Sequence, residues 1–106
     1  YLGNLVRLGA AARDVHQALD DSADALLILR HHIEAGGNVS DYADVIQPDS
    51  LRAGLAAALT ELERARHQSQ KVLFRLLIAE GMNMSRIARM WGISRQLVSR
   101  LVNEPD

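Results

Sequence analysis

The chain has 106 residues, 48% of them apolar but only 4% aromatic, a length that holds one domain or one small domain on a helical stalk. Two prolines, seven glycines and abundant Ala and Leu favour an all-α chain with a core of Leu, Ile, Val and Ala. The lack of cysteine excludes disulfides and thiolate metal sites and makes a reducing cytoplasm the default location, and no apolar run approaches the roughly 20 residues of a membrane span. The net charge of −1 conceals a split: residues 1–70 carry six Lys/Arg against ten Asp/Glu, a balance of −4, while residues 71–106 carry six against three, a balance of +3. Such a field repels a polyanion from one end and attracts it to the other.

From Leu5 to Ile33 apolar residues recur at three- and four-residue steps: Leu5, Leu8, Ala12, Val15, Leu19, Leu26, Leu29 and Ile33, with Ser22 the one polar member. This spacing predicts a single apolar stripe along a helix over 5–35, about 45 Å long. Gly36-Gly37-Asn38 ends it, and a connector over 38–50 follows, with Ser40 as the expected cap of a short turn holding Tyr42, Val45 and Ile46. Pro48-Asp49-Ser50 opens a second long helix, whose stripe is Leu51, Leu55, Ala58, Leu62, Ala65, Val72 and Leu76, again with one polar member, Ser69. The sequence allows this helix either to run to Glu80 or to break near Gln68-Ser69-Gln70. Two long helices on a short connector are expected to lie antiparallel. Leu27, Ile28, Leu59, Leu73, Leu77 and Ile78 are left over, which calls for a further unit or a second subunit to cover them.

Several groupings resemble chemistry without completing it. His31 and His32 are adjacent and point about 100° apart on a helix, so they do not grip one ion. His16 and Asp20 share a face but supply only two ligands. Asp20, Asp21 and Asp24 read as a solvated acidic face, and Met82, Met84 and Met90 as packing. No nucleophile–histidine–carboxylate set, glycine-rich phosphate loop or metal motif is present, so no enzymatic activity and no cofactor are expected.

Residues 84–103 are the most informative stretch. They read as two short helices joined by a turn at Gly92, with Ala88 at the crossing and Ile87, Trp91, Ile93, Val98 and Leu101 at positions that must be apolar to pack on a third helix. Asn83 or Ser85 is placed to cap the first helix and Ser94 the second; Gly81 closes the helix before them, and Pro105 limits continuation beyond Asn103. The polar residues left outside on the second helix are Ser94, Arg95, Gln96, Ser99, Arg100 and Asn103, a set of forked donors, amides and hydroxyls without an acid.

The phrase Ile93-Ser94-Arg95-Gln96-Leu97-Val98-Ser99-Arg100-Leu101 resembles the recognition helix of helix-turn-helix bacterial regulators and of the related promoter-reading region of sigma factors. The likeness covers about a fifth of the chain. It implies a tri-helical helix-turn-helix unit over 70–106, which with the two long helices gives an expected all-α architecture whose residues 1–69 form a long antiparallel hairpin for dimerisation or scaffolding. It also implies a partner, double-stranded DNA, read by a cytoplasmic bacterial transcriptional regulator acting as a homodimer. Arg95, Gln96 and Arg100 would read base edges with Ser94, Ser99 and Asn103 beside them. Arg86, Arg89, Lys71 and Arg75 would contact phosphates, with His67 a weaker candidate. The same motif also resembles DNA-binding ends of recombinases and plasmid-partition proteins, a reading for which the start at Tyr1 leaves room. A sigma-like domain serving as a protein adaptor is the third reading.

Overall fold

The computed structural model describes residues 1–106 and is all-helical, with no strands. Helix α1 spans Leu2–Glu34, a 3₁₀ turn at Val39–Asp41 leads into α2 (Tyr42–Ile46), and α3 runs unbroken over Pro48–Ala79. Two short helices follow, α4 (Met84–Trp91) and α5 (Arg95–Asn103). No helix is long and apolar enough to cross a membrane. The molecule is a rod of 65 × 25 × 20 Å with a radius of gyration of 20.4 Å, against about 13 Å for a compact chain of this length.

The connector follows its local chemistry. Ser40 falls inside the 3₁₀ turn, and Asp41, not Ser40, stands at the start of α2; Asn38 precedes the 3₁₀ turn, its backbone N–H donating to the Asp41 carboxylate at 3.3 Å. Asp41 also takes the His32 ring nitrogen at 2.8 Å, which ties the connector back to α1. Gly37 lies against the same ring, and any Cβ there would collide with it. Ile46 is buried, Gln47 takes a left-handed backbone (φ 48°), and Pro48 enters α3 in its first turn, where its missing N–H costs nothing.

Helices α1 and α3 lie side by side in opposite directions. Arg7 pairs with Glu61 at 2.8 Å, and further along, Ala18 and Asp21 line the same cleft as Ser50 and Leu51. The α3 stripe from Leu51 through Ala65 to Val72 is turned inward as its spacing predicts. The α1 stripe is not. Four of its members, Leu8, Val15, Ser22 and Leu29, are half-buried, but the seam is completed by Ala11, Ala18 and Ala25, while Leu5, Leu19, Leu26 and Ile33 stay exposed. The cause is steric. Leucines on α3 need small residues opposite them to interdigitate, so α1 presents its alanine column and turns its leucine column aside.

The second packing unit sits at the far end of α3. Phe74, Ile87 and Val98 are fully buried and, with Ala88 and Leu101, form its core. Leu73, Leu77, Ile78, Met82 and Met84 pack around it, so three of the surplus apolar residues on α3 are covered from within. Here α3 uses a different face from the one it gives α1, and Leu76, the next member of the sequence stripe, is 43% exposed while Phe74 is 0%. Trp91 is half-exposed, its ring edge-on to Phe74 with centroids 5.4 Å apart. The division expected at residue 69/70 falls inside the continuous α3 rather than at a chain break.

Two caps and two glycines build the turns around this core. Asn83 accepts from the Arg86 N–H at 2.8 Å and Ser94 from the Leu97 N–H at 3.1 Å. Gly81 (φ 102°) and Gly92 (φ 65°) take left-handed conformations, and the N–H groups of Met82 and Ile93 return to Leu77 and Ala88 carbonyls at 3.0 and 3.1 Å. A Cβ at Gly92 would meet nothing within 4 Å, so the requirement for glycine is in the backbone and not in a clash.

Phe74→Ala should therefore cost about 3–5 kcal/mol and Leu76→Ala under about 0.5, read by thermal unfolding followed at Trp91. Gly92→Ala should cost about 1–2 kcal/mol from the left-handed backbone alone, with Gly92→Asn closer to the unaltered protein.

Candidate nucleic-acid interface

The outer surface of α5 follows from its periodicity. Val98 and Leu101 are buried and Leu97 and Val102 half-buried, which turns Arg95, Gln96, Ser99, Arg100 and Asn103 to the other side. Two shallow polar grooves run along that side. One is lined by Met84, Arg95, Gln96 and Ser99, the other by Gln96, Ser99, Arg100, Asn103 and the Glu104-Pro105 corner. Gln96 and Ser99 are common to both, so the strip is continuous from the start of α4 to the end of α5. Asn103 donates to the Ser99 carbonyl at 2.9 Å and its hydroxyl at 3.3 Å, leaving its own carbonyl oxygen to accept. Ser94 spends its oxygen on the cap and retains its O–H to donate.

Arg86, Arg89, Arg95 and Arg100 are all exposed, and none of their guanidinium groups has a hydrogen-bonding or ion-pair partner within the chain. Of the six arginines before α4 other than Arg75, four are paired, Arg7 and Arg64 with Glu61, Arg30 with Glu34 and Arg66 with Glu63, while Arg13 and Arg52 stand free but apart from one another. Between Gly81 and Asn103 there is no acidic residue at all. The α4–α5 surface is thus a field of unneutralised guanidinium groups around amide and hydroxyl donors, which suits an oxyanion-rich partner.

Lys71 and Arg75 do not belong to this surface, a correction to the sequence expectation. Lys71 is buried, its ammonium 3.1 Å from Asp106, 3.9 Å from Glu104 and 3.3 Å from the Pro105 carbonyl. Arg75 donates to the Val102 carbonyl at 2.9 Å and the Glu104 carbonyl at 2.5 Å, and pairs with Asp106 at 2.8 Å. His67, one turn earlier, meets Glu104 at 2.8 Å. Residues 67, 71 and 75 are spaced i, i+4, i+8 and form a row of nitrogen donors on α3 that clamps the chain as it leaves α5. The row was legible in the sequence; the two acids that occupy it were not, since nothing local places Glu104 and Asp106 against α3. The hydrogen bond from His67 holds the Glu104 carboxyl below its usual range, and the bonds from Arg75 and Lys71 do the same for Asp106. A buried ammonium without such partners would be strongly unfavourable.

The chain matches no protein-family model, no curated protein and no solved structure.

The clamp has a pH signature. Both carboxyl groups are depressed in the fold, so their contribution is complete above the ordinary carboxylate range of about 4 and is lost as pH falls through the lowered folded values. Acid titration of the unaltered protein should release residues 104–106 at low pH, seen by NMR at the Arg75 Nε–H. Glu104→Gln with Asp106→Asn should lower stability at neutral pH and flatten the acid limb of the stability curve.

Proposed function

We propose that this protein binds double-stranded DNA sequence-specifically through a helix-turn-helix unit carried on an antiparallel helical hairpin, as a cytoplasmic bacterial transcriptional regulator working as a homodimer. It is a binding protein, not an enzyme. The observation that carries the reading is the set of four exposed, unpartnered arginines on α4 and α5 with no acid among them. The geometry of α5 supports it. A helix of nine residues, capped by Ser94 and backed by Val98 and Leu101, presents one polar side at its full length. The major groove, about 12 Å wide, admits a helix in this way.

In this reading Arg95 and Arg100 bring forked donors and Gln96 an amide to base edges, with Ser94, Ser99 and Asn103 adding shorter-reach contacts. Arg86 and Arg89 on α4 grip phosphates and set the register of the unit on the duplex. Lys71, Arg75 and His67 act indirectly, by fixing the end of α5 on α3 so that the reading helix is held and not frayed. Rigid presentation lowers the entropy lost on binding.

The test is a selection of bound fragments from random DNA followed by affinity measurements. Arg95→Ala or Gln96→Ala should cost about 1–3 kcal/mol on the selected site and relax preference at one base pair. Arg86→Ala or Arg89→Ala should weaken all sequences alike and shallow the salt dependence by about one unit of slope. Lys71→Met should lower stability while leaving that salt slope unchanged. Failure to retain any duplex at low salt would overturn the proposal and favour a protein adaptor.

A further inference from the structure

Helix α1 carries two heptad seams that share the column Leu8, Val15, Ser22 and Leu29. One, completed by Ala11, Ala18 and Ala25, is closed by α3. The other is completed by Leu5, Ala12, Leu19, Leu26 and Ile33, a column the chain leaves exposed: Leu5 43%, Leu19 52%, Leu26 61% and Ile33 41%. It contains no charged residue over some 42 Å of helix. Wheel geometry sets it on the flank of the α1–α3 pair opposite the Arg7–Glu61 ion pair, the flank that also exposes Leu59 of α3.

We propose that this second seam receives the same seam of a second copy, with the two α1 helices antiparallel about a dyad beside residue 17. This deepens the homodimer part of the functional reading and rests on that part alone. In that register the pairing is self-complementary, as an isologous contact must be. Leu5 meets the partner's Leu29, Leu8 the partner's Leu26, and Val15 the partner's Leu19. The single polar member, Ser22, meets the partner's Ala12. The antiparallel pair also lays the Arg30 stem over the partner's Leu2, an otherwise 78% exposed leucine. A seam of this length and one helix width buries on the order of 900–1,000 Å² in all, below the roughly 1,200 Å² of standard stable interfaces and within the range of weaker, reversible ones. The dyad places the two α4–α5 units at opposite ends of the bundle. From the rise along α3 their Phe74 cores stand on the order of 60 Å apart. On the DNA reading that spacing matches half-sites two helical turns apart rather than one.

Sedimentation of the unaltered protein at micromolar concentrations should give twice the 11.7 kDa of the chain. Leu19→Asp or Leu26→Asp should return it to the chain mass with helicity retained, since both residues are exposed in the monomer. Leu27→Asp, one residue on and facing away, should leave the dimer intact. The chain has no cysteine, so His16→Cys, beside the dyad, should link to its own mate with a short bis-maleimide. Leu5→Cys should not, its mate lying about 36 Å away. A chain-mass species at about 100 μM, a concentration well above the micromolar affinity range, overturns the dimer. A dimer indifferent to Leu26→Asp overturns the face, and self-linking of Leu5→Cys overturns the antiparallel register. None of these readouts involves DNA, so failure of DNA binding leaves them standing. Selected half-sites one turn apart would count against the register alone.

Discussion

Helix α3 must serve two partners with one unbroken helix, and the rest of the molecule depends on how it does so. Over Leu51–Val72 it offers a heptad seam to α1; two residues later Phe74 points elsewhere and anchors α4 and α5. Because the helix is continuous across both, the angle between the two packing units is fixed by helix geometry and not by a linker. A rigid shaft with a small core at one end is the consequence, and it explains why only 12 of 106 residues are buried although nearly half the chain is apolar.

The change of face falls at Ser69, Gln70 and Lys71, three polar residues that are nonetheless buried. Two of the three have side-chain partners: Gln70 accepts from Arg66 at 2.9 Å, and Lys71 is held by the segment beyond α5. No buried polar side-chain atom is left unsatisfied. The clamp divides the cations of the C-terminal end into two groups with different work. Those on α3 are neutralised internally and hold the fold together. Those on α4 and α5 remain uncompensated, and their charge is available to a partner.

The same division of labour applies to the apolar side chains. Residues of the Phe74 core hold α4 and α5 in place, while the leucine column of α1 stays exposed on the monomer. A two-helix pair has one seam only, and the larger side chains lost the competition for it to alanines that fit the leucines of α3. The free arginines of α4 and α5 and the uncharged leucine column of α1 are therefore separate surfaces, and a substitution in one leaves the other in place.

Much of the local structure was legible in the residues themselves. The glycine and cap positions at Gly81, Asn83, Gly92 and Ser94, the inward spacing of Val98 and Leu101, and the α3 stripe up to Val72 all depend on backbone preference and helical period, which act within a few residues. Three features were decided only by the tertiary structure. Whether α3 breaks near Gln70 depended on burying that segment against two neighbours. Which of two overlapping stripes on α1 faces inward depended on the size of side chains more than 30 residues away. The fate of Lys71 and Arg75 depended on where a chain end, as many as 35 residues further on, came to lie. Periodicity identifies which residues share a face; it carries no information about which face a distant partner will fit, or which charge will reach another across the fold.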